Sequence, residues 1–353
     1  MNSLLTPVTI RDLTFRNRIA VSPMCQYSSQ DGFATDWHLV HLGSRAVGGA
    51  GLVMTEAAAV EPRGRISPQD LGIWKDEHVD FLARIADFLR QHGAVAGMQI
   101  AHAGRKACTR RPWEGGGVIA QSEGGWQPVA PSALPFNDAD PAPAELTTAG
   151  IIEVVEAFVA ATRRALRAGF QVVEIHAAHG YLIHQFLSPL SNHRTDQYGG
   201  TFDNRIRLAL EVTEAVRGVW PSGLPLLLRI SATDWVEGGW DIGESVELAR
   251  RVKPLGVDLI DCSSGGASPA QKVQLAPGYQ APFAARIRQE SGVMTGAVGL
   301  ITTAQQADQI IRTGQADMVL LAREFLRDPY FPLHAAKALG VEMKAPEQYA
   351  RAF

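Results

Sequence analysis

Short runs of aliphatic and β-branched residues alternate along the chain with longer segments of helical periodicity. Eight such runs predict strands, near residues 18–22, 52–55, 95–99, 172–176, 226–230, 259–262, 294–296 and 318–321. The helical segments between them include residues 76–92, 149–168, 202–219, 242–255, 282–289 and 303–313. Several end at a glycine that can cap a helix, at Gly93, Gly169, Gly256 and Gly314. This alternation is typical of a parallel sheet made from βα units.

Eight strands, each followed by a helix, favour a (β/α)8 TIM barrel, an α/β fold, over a doubly wound sheet. No change of composition marks a boundary, so residues 1–353 are expected to form a single domain. Residues 105–143, rich in Gly, Pro and Trp, predict a loop insertion over the barrel mouth. The three glycines 115–117 within it are no dinucleotide fingerprint, because no strand precedes them and no helix follows.

Composition narrows the class of protein. The chain is 46% hydrophobic, so it can bury a full core, and 33 basic against 36 acidic residues provide no field that attracts nucleic acid or an anionic membrane. No signal peptide or membrane span is evident, which predicts a cytoplasmic small-molecule enzyme. Cys25, Cys108 and Cys262 are dispersed and odd in number, so neither a disulfide framework nor a metal cluster is indicated.

The most informative segment is 172–181, where an apolar strand runs directly into His176, His179 and Tyr181. Two imidazoles three residues apart can be ordinary loop histidines, metal ligands, or paired hydrogen-bond donors to one oxygen. Zinc is the weaker alternative, because no third ligand stands at a recognisable spacing. His38 and His41 repeat the spacing, but they follow a helix start at Thr35 and predict a structural helix face.

Polar groups and small residues follow most of the predicted strands, at the barrel end where active sites lie. A flat heterocycle with a phosphate tail matches this set: Gln99 can bond a ring atom, and Arg229 can stabilise a ring that becomes anionic on reduction. The glycine-rich strand ends, with Arg323, can bind the phosphate. The residues that follow the last three predicted strands and could serve this purpose are Ser264, Gly265, Gly299, Ala322 and Arg323.

Specific motifs in the chain resemble those of the Old Yellow Enzyme family of FMN-dependent ene-reductases over nearly the whole length. The residues that carry the resemblance are 4–7 (Leu-Leu-Thr-Pro), 17–19 (Asn-Arg-Ile), 22–27 (Ser-Pro-Met-Cys-Gln-Tyr), 64–66 (Gly-Arg-Ile), 99–106 (Gln-Ile-Ala-His-Ala-Gly-Arg-Lys), 176–181 (His-Ala-Ala-His-Gly-Tyr), 188–200, 204–205 and 348–353 (Gln-Tyr-Ala-Arg-Ala-Phe). Within the family the chain is similar to the thermophilic-like class, and its longer 105–143 segment resembles the xenobiotic-reductase branch.

The resemblance implies a role for individual positions. The implied contacts of a tightly bound FMN are Ser22, Pro23, Met24, Cys25, Ala57, Gln99, Arg229, Ala322 and Arg323. Ala322 departs from the glycine that relatives often carry, but its backbone donor is retained. The implied substrate contacts are Tyr27, His176 and His179, with Tyr181 as proton donor. Cys25 is expected to lie against the flavin and tune it, since no neighbouring base is evident that would make it a thiolate.

The implied reaction is a ping-pong one, in which NADPH, or NADH, reduces the flavin and an activated alkene then reoxidises it. Enones, enals, maleimides and nitro compounds are the expected substrate class. His176 and His179 would bind the substrate oxygen, and Tyr181 would protonate the α-carbon. Two rivals remain at this point: a metal-dependent barrel hydrolase that uses the histidines as ligands, and a non-catalytic flavin-binding protein, which would have no need of Tyr181.

The C-terminal tail, residues 345–353, carries Arg351 close to the end of the chain, where a solvated charge is the ordinary expectation. The resemblance implies a different arrangement, because relatives of this class insert the matching arginine into the active site of a neighbouring subunit. It therefore predicts a homo-oligomer built from dimers, in which Tyr349 and Phe353 anchor the tail and Arg351 reaches the partner's pocket near Tyr27.

Overall fold

Residues 3–353, described by a computed structural model, contain twelve strands and eleven α-helices. The strands are β1 (Val8–Ile10), β2 (Leu13–Phe15), β3 (Ile19–Val21), β4 (Leu52–Ala59), β5 (Val95–Ala101), β6 (Val129–Ala130), β7 (Ala144–Glu145), β8 (Val172–Ala177), β9 (Leu226–Ser231), β10 (Leu259–Ser263), β11 (Met294–Ala297) and β12 (Met318–Leu321). The helices are α1 (Asp36–Val47), α2 (Val79–Gln91), α3 (Thr148–Arg167), α4 (Leu182–Leu187), α5 (Phe202–Arg205), α6 (Arg207–Val219), α7 (Ile242–Val252), α8 (Ala281–Ser291), α9 (Ala304–Arg312), α10 (Arg323–Arg327) and α11 (Phe331–Leu339).

Eight of these strands form a closed, wholly parallel barrel in the order β3-β4-β5-β8-β9-β10-β11-β12, and β12 pairs with β3 to close it. Each barrel strand overlaps one of the eight predicted runs, and helices follow the strands along the chain. The predicted (β/α)8 barrel is therefore confirmed. The four predicted cap glycines all adopt positive φ, as a left-handed cap requires: Gly93, Gly169, Gly256 and Gly314.

Strand side chains alternate between the barrel interior and the surrounding helices. In β4, Leu52 and Met54 join the interior cluster, whereas Val53 belongs to the larger core beneath the helices. The β1–β2 hairpin, which the sequence analysis did not predict, packs Val8 and Phe15 into the same interior cluster. Because that cluster is built largely from residues at the beginnings of strands, the hairpin covers the N-terminal end of the barrel. The carboxyl ends of the strands remain available for a site.

The segment between β5 and α3 consists of short 3-10 turns and the two-residue strands β6 and β7, which pair in parallel. It is tied to the barrel by Arg105, whose guanidinium donates to the Ala267 carbonyl at 2.7 Å. Gly116 and Gly117 have positive φ, and a Cβ on either would meet no atom within 4 Å. They line the same cavity as Tyr181, so this segment borders the mouth.

Some helix boundaries differ from those predicted. The segment predicted at 76–92 begins with a 3-10 turn before α2, and that at 202–219 divides into α5 and α6 at Ile206. The short helices α4 and α10 and the terminal α11 were not predicted. The helix start at Thr35 is found at α1. Across residues 3–353, no helix combines the length and apolar character needed to cross a bilayer.

Candidate active site

The carboxyl ends of the barrel strands bring the predicted site residues to one end of the barrel. His176 at the end of β8 is the register partner of Arg229 in β9, and Ala57 in β4 pairs with Gln99 in β5. Ser22 follows β3, and its backbone N–H donates to the Leu321 carbonyl at 2.9 Å. Because all eight strands run in parallel, these side chains face a common space.

A buried polar layer lies among these strand ends. The Gln99 amide donates to Glu174 at 2.7 Å, and Arg229 Nε lies 2.9 Å from a carboxylate oxygen of Asp261. Burial, with Asp261 nearby, raises the pKa of Glu174 to about 8, and burial likewise raises the pKa of Asp261. Sequence reasoning identified Gln99 and Arg229 but missed the two acids. An acidic residue inside an apolar strand was the available signal.

His176 and His179 form a hydrogen-bonded pair, with their facing nitrogens 3.3 Å apart. The backbone N–H of Ala178 donates to Nδ1 of His176, which leaves the ring proton of neutral His176 on Nε2. Nε2 of His179 lies 2.7 Å from the Ser263 hydroxyl. Burial, and next the charge of Arg229, lower the pKa of both histidines well below the usual value. Both rings are therefore neutral at pH 7, and each carries one N–H donor.

Tyr181 is the N-cap residue of helix α4, and its ring centroid lies 5.0 Å from that of His176. Burial raises the pKa of its phenol well above the usual value, and the neighbouring Cys25, Tyr27 and Asp70 raise it further. The phenol therefore stays protonated at neutral pH. A protonated phenol beside two neutral imidazoles is a hydrogen-bonding set that suits a substrate oxygen and a proton transfer.

Side chains from other elements hold the backbone of the loop formed by residues 179–181. The Ser231 hydroxyl accepts from the His179 N–H at 2.9 Å, and the Lys106 ammonium donates to the His179 carbonyl at 2.9 Å and to the Gly266 carbonyl at 3.2 Å. Burial lowers the pKa of Lys106 to about 8. Lys106 is the last residue of the 99–106 motif, but the sequence alone did not predict a role for it.

A buried imidazole–carboxylate pair, His184 and Asp234, also contacts the loop formed by residues 179–181. Nδ1 of His184 accepts from the Gly180 N–H at 2.8 Å, and its Nε2 lies 2.9 Å from Asp234. Asp234 also accepts from the Ser188 hydroxyl at 2.6 Å. Burial opposes ionisation of Asp234, but His184 and these hydrogen bonds outweigh it and lower its pKa. Sequence reasoning missed this pair, although the short spacing of His184 from Tyr181 on one helix was visible.

Cys25 and Tyr27 occupy the loop after β3. Burial, followed by the carboxyls of Asp70 and Glu56, raises the pKa of the Cys25 thiol well above its usual value. The thiol is therefore protonated, as expected from the lack of an adjacent base. Tyr27 has a positive φ of 49°, and its ring stands edge-on to Trp113 of the long segment at 5.7 Å.

A cavity of about 220 Å³ opens beside the ends of β11 and β12. The predicted residues that line it are Gly299, Ala322 and Arg323. Gly299 has a φ of 117°, and a Cβ there would approach the Gln280 amide to 2.8 Å, so the position requires glycine. Ser264 and Gly265 follow β10 outside this lining, and the Ser264 hydroxyl donates to Gln280. Backbone groups and an arginine around a cavity of this size suit a phosphate.

A second cavity, of about 300 Å³, lies at the mouth between the barrel and the long segment. Tyr27, Tyr181 and Lys106 line its barrel side, and Phe136 lines the opposite side. The Lys106 ammonium lies 4.5 Å from the centroid of the Phe136 ring. This cavity therefore connects the predicted proton donor with a partly aromatic, positively charged wall.

Arg351 lies apart from both cavities within its own chain. It borders a surface depression with Tyr349 and Phe353, whose rings contact those of Tyr330 and His334 at 5.9 and 5.6 Å. Tyr349 and Phe353 remain 40% and 47% exposed in the single chain. The tail thus presents an aromatic and cationic surface to its surroundings.

The donors that remain unused fit a phosphorylated flat heterocycle. The Ser22 hydroxyl is buried and has no hydrogen-bond partner among residues 3–353, and Arg229 Nε, although 2.9 Å from Asp261, is not aligned to form a hydrogen bond with it. Both lie at strand ends, and a ring ligand placed there would satisfy them. No group of three His, Cys, Asp or Glu in the described residues has the arrangement of a metal site.

Comparisons with known proteins agree on one family. The profile described as the NADH:flavin oxidoreductase / NADH oxidase family matches residues 3–342. The chain is 51% identical over 350 residues to the NADPH dehydrogenase of Geobacillus sp. (strain WCH70), covering 99% of this chain and 98% of that one. It is 47% identical to the NADPH dehydrogenase of Bacillus subtilis (strain 168), at the same coverage.

Solved structures give the same result. The chain superposes on morphinone reductase with a TM-score of 0.81 and 28% identity, covering 99% of this chain and 92% of that one. It superposes on the old yellow enzyme homologue of Zymomonas mobilis with a TM-score of 0.78 and 26% identity, covering 97% and 94%. Each similarity extends over nearly the whole chain.

Proposed function

Because the chain belongs to the NADH:flavin oxidoreductase / NADH oxidase family and is a flavin oxidoreductase of the Old Yellow Enzyme type, we propose that it reduces activated carbon–carbon double bonds with electrons from NADPH. The substrate class is enones, enals, maleimides and nitro compounds. The observation that carries the proposal is the convergence of two neutral imidazole donors and one protonated phenol on the open end of the barrel.

The flavin in this proposal is FMN, bound tightly through residues that the chain already presents. The phosphate cavity has Gly299 and Arg323 in its wall, the Ser22 hydroxyl after β3 offers an unused buried donor, and Arg229 places its positive charge near the end of β9. Gln99 is fixed by Glu174 and can hydrogen-bond the ring edge. When bound, FMN supplies two-electron hydride chemistry, first with NADPH and then with the alkene.

His176 and His179 bind the carbonyl or nitro oxygen of the substrate. The Nε2–H of His176 now points to His179, and that of His179 to Ser263, so a substrate oxygen would accept both donors in place of these contacts. Neutral donors in a buried site stabilise the negative charge that develops on this oxygen. Tyr181 gives its proton to the α-carbon, and Lys106 with Ser231 holds the loop that carries it.

Cys25 contacts the flavin as a neutral thiol, because its raised pKa keeps it from acting as a nucleophile. The partner implied by the tail is a second copy of this chain, with Arg351 completing the neighbour's pocket near Tyr27. The exposed aromatic rings of Tyr349 and Phe353 support this part of the proposal, because apolar surface of this kind is commonly covered by association.

A half-reaction experiment with Tyr181→Phe tests the function. Flavin reduction by NADPH should proceed at the wild-type rate, whereas reoxidation by an enone should slow by about 10² or more, because only the second half needs an α-carbon proton. Stopped-flow absorbance at the flavin band measures both rates. Tyr198→Phe, which removes a buried hydroxyl bonded to Glu211 on α6, is the matched control. Equal slowing of both half-reactions, or protein that binds no FMN, would reject the proposal.

A further inference from the structure

A small cavity of about 10 Å³ is lined by the buried carboxyl of Asp70 and by Tyr181. Its other walls are four alanines, Gly64 and Ile66. A space of this volume holds about one water molecule, and water occupies such a space when polar groups are there to bind it. The cavity is distinct from the larger mouth cavity, which Tyr181 also lines.

Asp70 has the hydrogen-bonding capacity to bind that water. Its side chain is almost fully buried, and one carboxyl oxygen accepts from the Ile66 N–H at 2.6 Å. The other oxygen has no hydrogen-bond partner among residues 3–353. A buried carboxyl oxygen without a partner is costly, so a bridging water or a proton on the carboxyl is required. Burial and the nearby Glu56 raise the pKa of Asp70 well above its usual value, which favours the protonated carboxyl.

We infer that Asp70 resupplies Tyr181 with a proton through one water molecule in this cavity. The inference rests on the proposed role of Tyr181 as proton donor. Tyr181 loses its O–H proton as the new C–H bond forms at the α-carbon, which leaves a phenolate. The water gives a proton to the phenolate and takes the Asp70 carboxyl proton, and the Asp70 carboxylate regains a proton from solvent. These steps transfer protons only, and no group is oxidised or reduced.

The direction of transfer follows from the two acids. A carboxylic acid is ordinarily a stronger acid than a phenol by several pKa units, and burial raises the pKa of both groups here. The proton therefore moves from Asp70 to the phenolate of Tyr181. Because Tyr181 begins each turnover protonated, Asp70 is needed for repeated turnover and not for the first one.

Asp70→Asn separates this role from a structural one, because the amide keeps the shape of the carboxyl but has no acidic proton. The variant should reduce the multiple-turnover rate with an enone by about tenfold or more and increase its solvent deuterium isotope effect. Flavin reduction by NADPH and the first, single-turnover reoxidation by the enone should be unchanged. Turnover with ferricyanide, which takes electrons and no proton from Tyr181, should also be unchanged. Asp308→Asn, at a buried carboxyl on α9 that accepts from the Leu4 N–H, is the matched control.

Two further measurements do not depend on that variant's activity. Infrared spectra of the flavin-free wild type at pH 7 should contain a protonated-carboxyl component that shifts in D2O and is lost in Asp70→Asn, whereas the component from Glu174 should remain in both. If Asp70→Asn does not fold, Asp70→Ser leaves room for formate, which should restore multiple-turnover enone reduction.

An ionised Asp70, an unchanged isotope effect in Asp70→Asn, equal losses with enone and ferricyanide, or a folded Asp70→Ser that formate does not restore would each overturn the inference. If Tyr181→Phe slows enone reduction and Asp70→Asn does not, the inference alone fails. If Tyr181→Phe has no effect, the proposed function fails as well.

Discussion

At the scale of single residues, the site depends on keeping ionisable side chains neutral. His176 and His179 are neutral because their burial and the charge of Arg229 oppose protonation. The same physics keeps Tyr181 and Cys25 protonated. Sequence could identify these residue types and place them at strand ends, but their charge states depend on burial that only the folded chain defines.

Replacing His179 with Ala should weaken binding of phenols and enones. The variant removes an N–H donor to a developing or full negative charge, which is worth roughly 1.5–3 kcal/mol, or about a tenfold to hundredfold rise in Kd. Titration of the flavin spectrum with a phenol measures the affinity. His92→Ala, whose ring stacks on Phe88 far from the strand ends, is the control. An unchanged Kd in the His179 variant would remove this residue from the substrate site.

The pKa of Glu174 predicts a pH effect on stability. Its folded pKa of about 8 lies above its usual value of 4.5, so between these pH values the folded state binds more protons than the unfolded state. Stability must therefore fall as pH rises through this window, by up to about 1.4 kcal/mol per unit of pKa difference. Glu174→Gln should remove that loss of stability. The Tm of the variant minus the Tm of the wild type should therefore increase from pH 5 to pH 8, measured in flavin-free protein. A difference in Tm that does not vary with pH would contradict the prediction.

At the scale of elements, the strand and helix pattern was readable because eight buried parallel strands leave continuous apolar runs. The β1–β2 hairpin was missed because an exposed threonine interrupts each of its short strands, so neither strand leaves a continuous apolar run. The His184–Asp234 pair was missed for a different reason, since its partners are 50 residues apart and meet only through the barrel.

His184→Phe should disrupt the loop that carries Tyr181 while the barrel remains folded. The variant keeps an aromatic ring of similar size but removes the acceptor for the Gly180 N–H. We expect kcat for enones to fall with a smaller change in FMN affinity. Circular dichroism and FMN titration provide the folding controls. Loss of FMN in parallel with kcat would indicate that the pair stabilises the whole barrel and not this loop.

At the scale of the whole molecule, the C-terminal tail has no evident role in the isolated chain. Arg351 lies outside the active site of its own chain, and the rings of Tyr349 and Phe353 are only partly covered.

Deleting residues 349–353 should therefore raise the KM for enones and weaken self-association, because the tail would be removed from the partner's pocket. FMN should remain bound, since its proposed contacts all lie at strand ends of the same chain. Sedimentation velocity and steady-state kinetics measure the two effects, and Lys344→Ala, an exposed change just before the tail, is the control. A wild-type monomer at micromolar concentration, or a truncated protein that is equally associated and kinetically unchanged, would show that Arg351 is a solvated terminal charge.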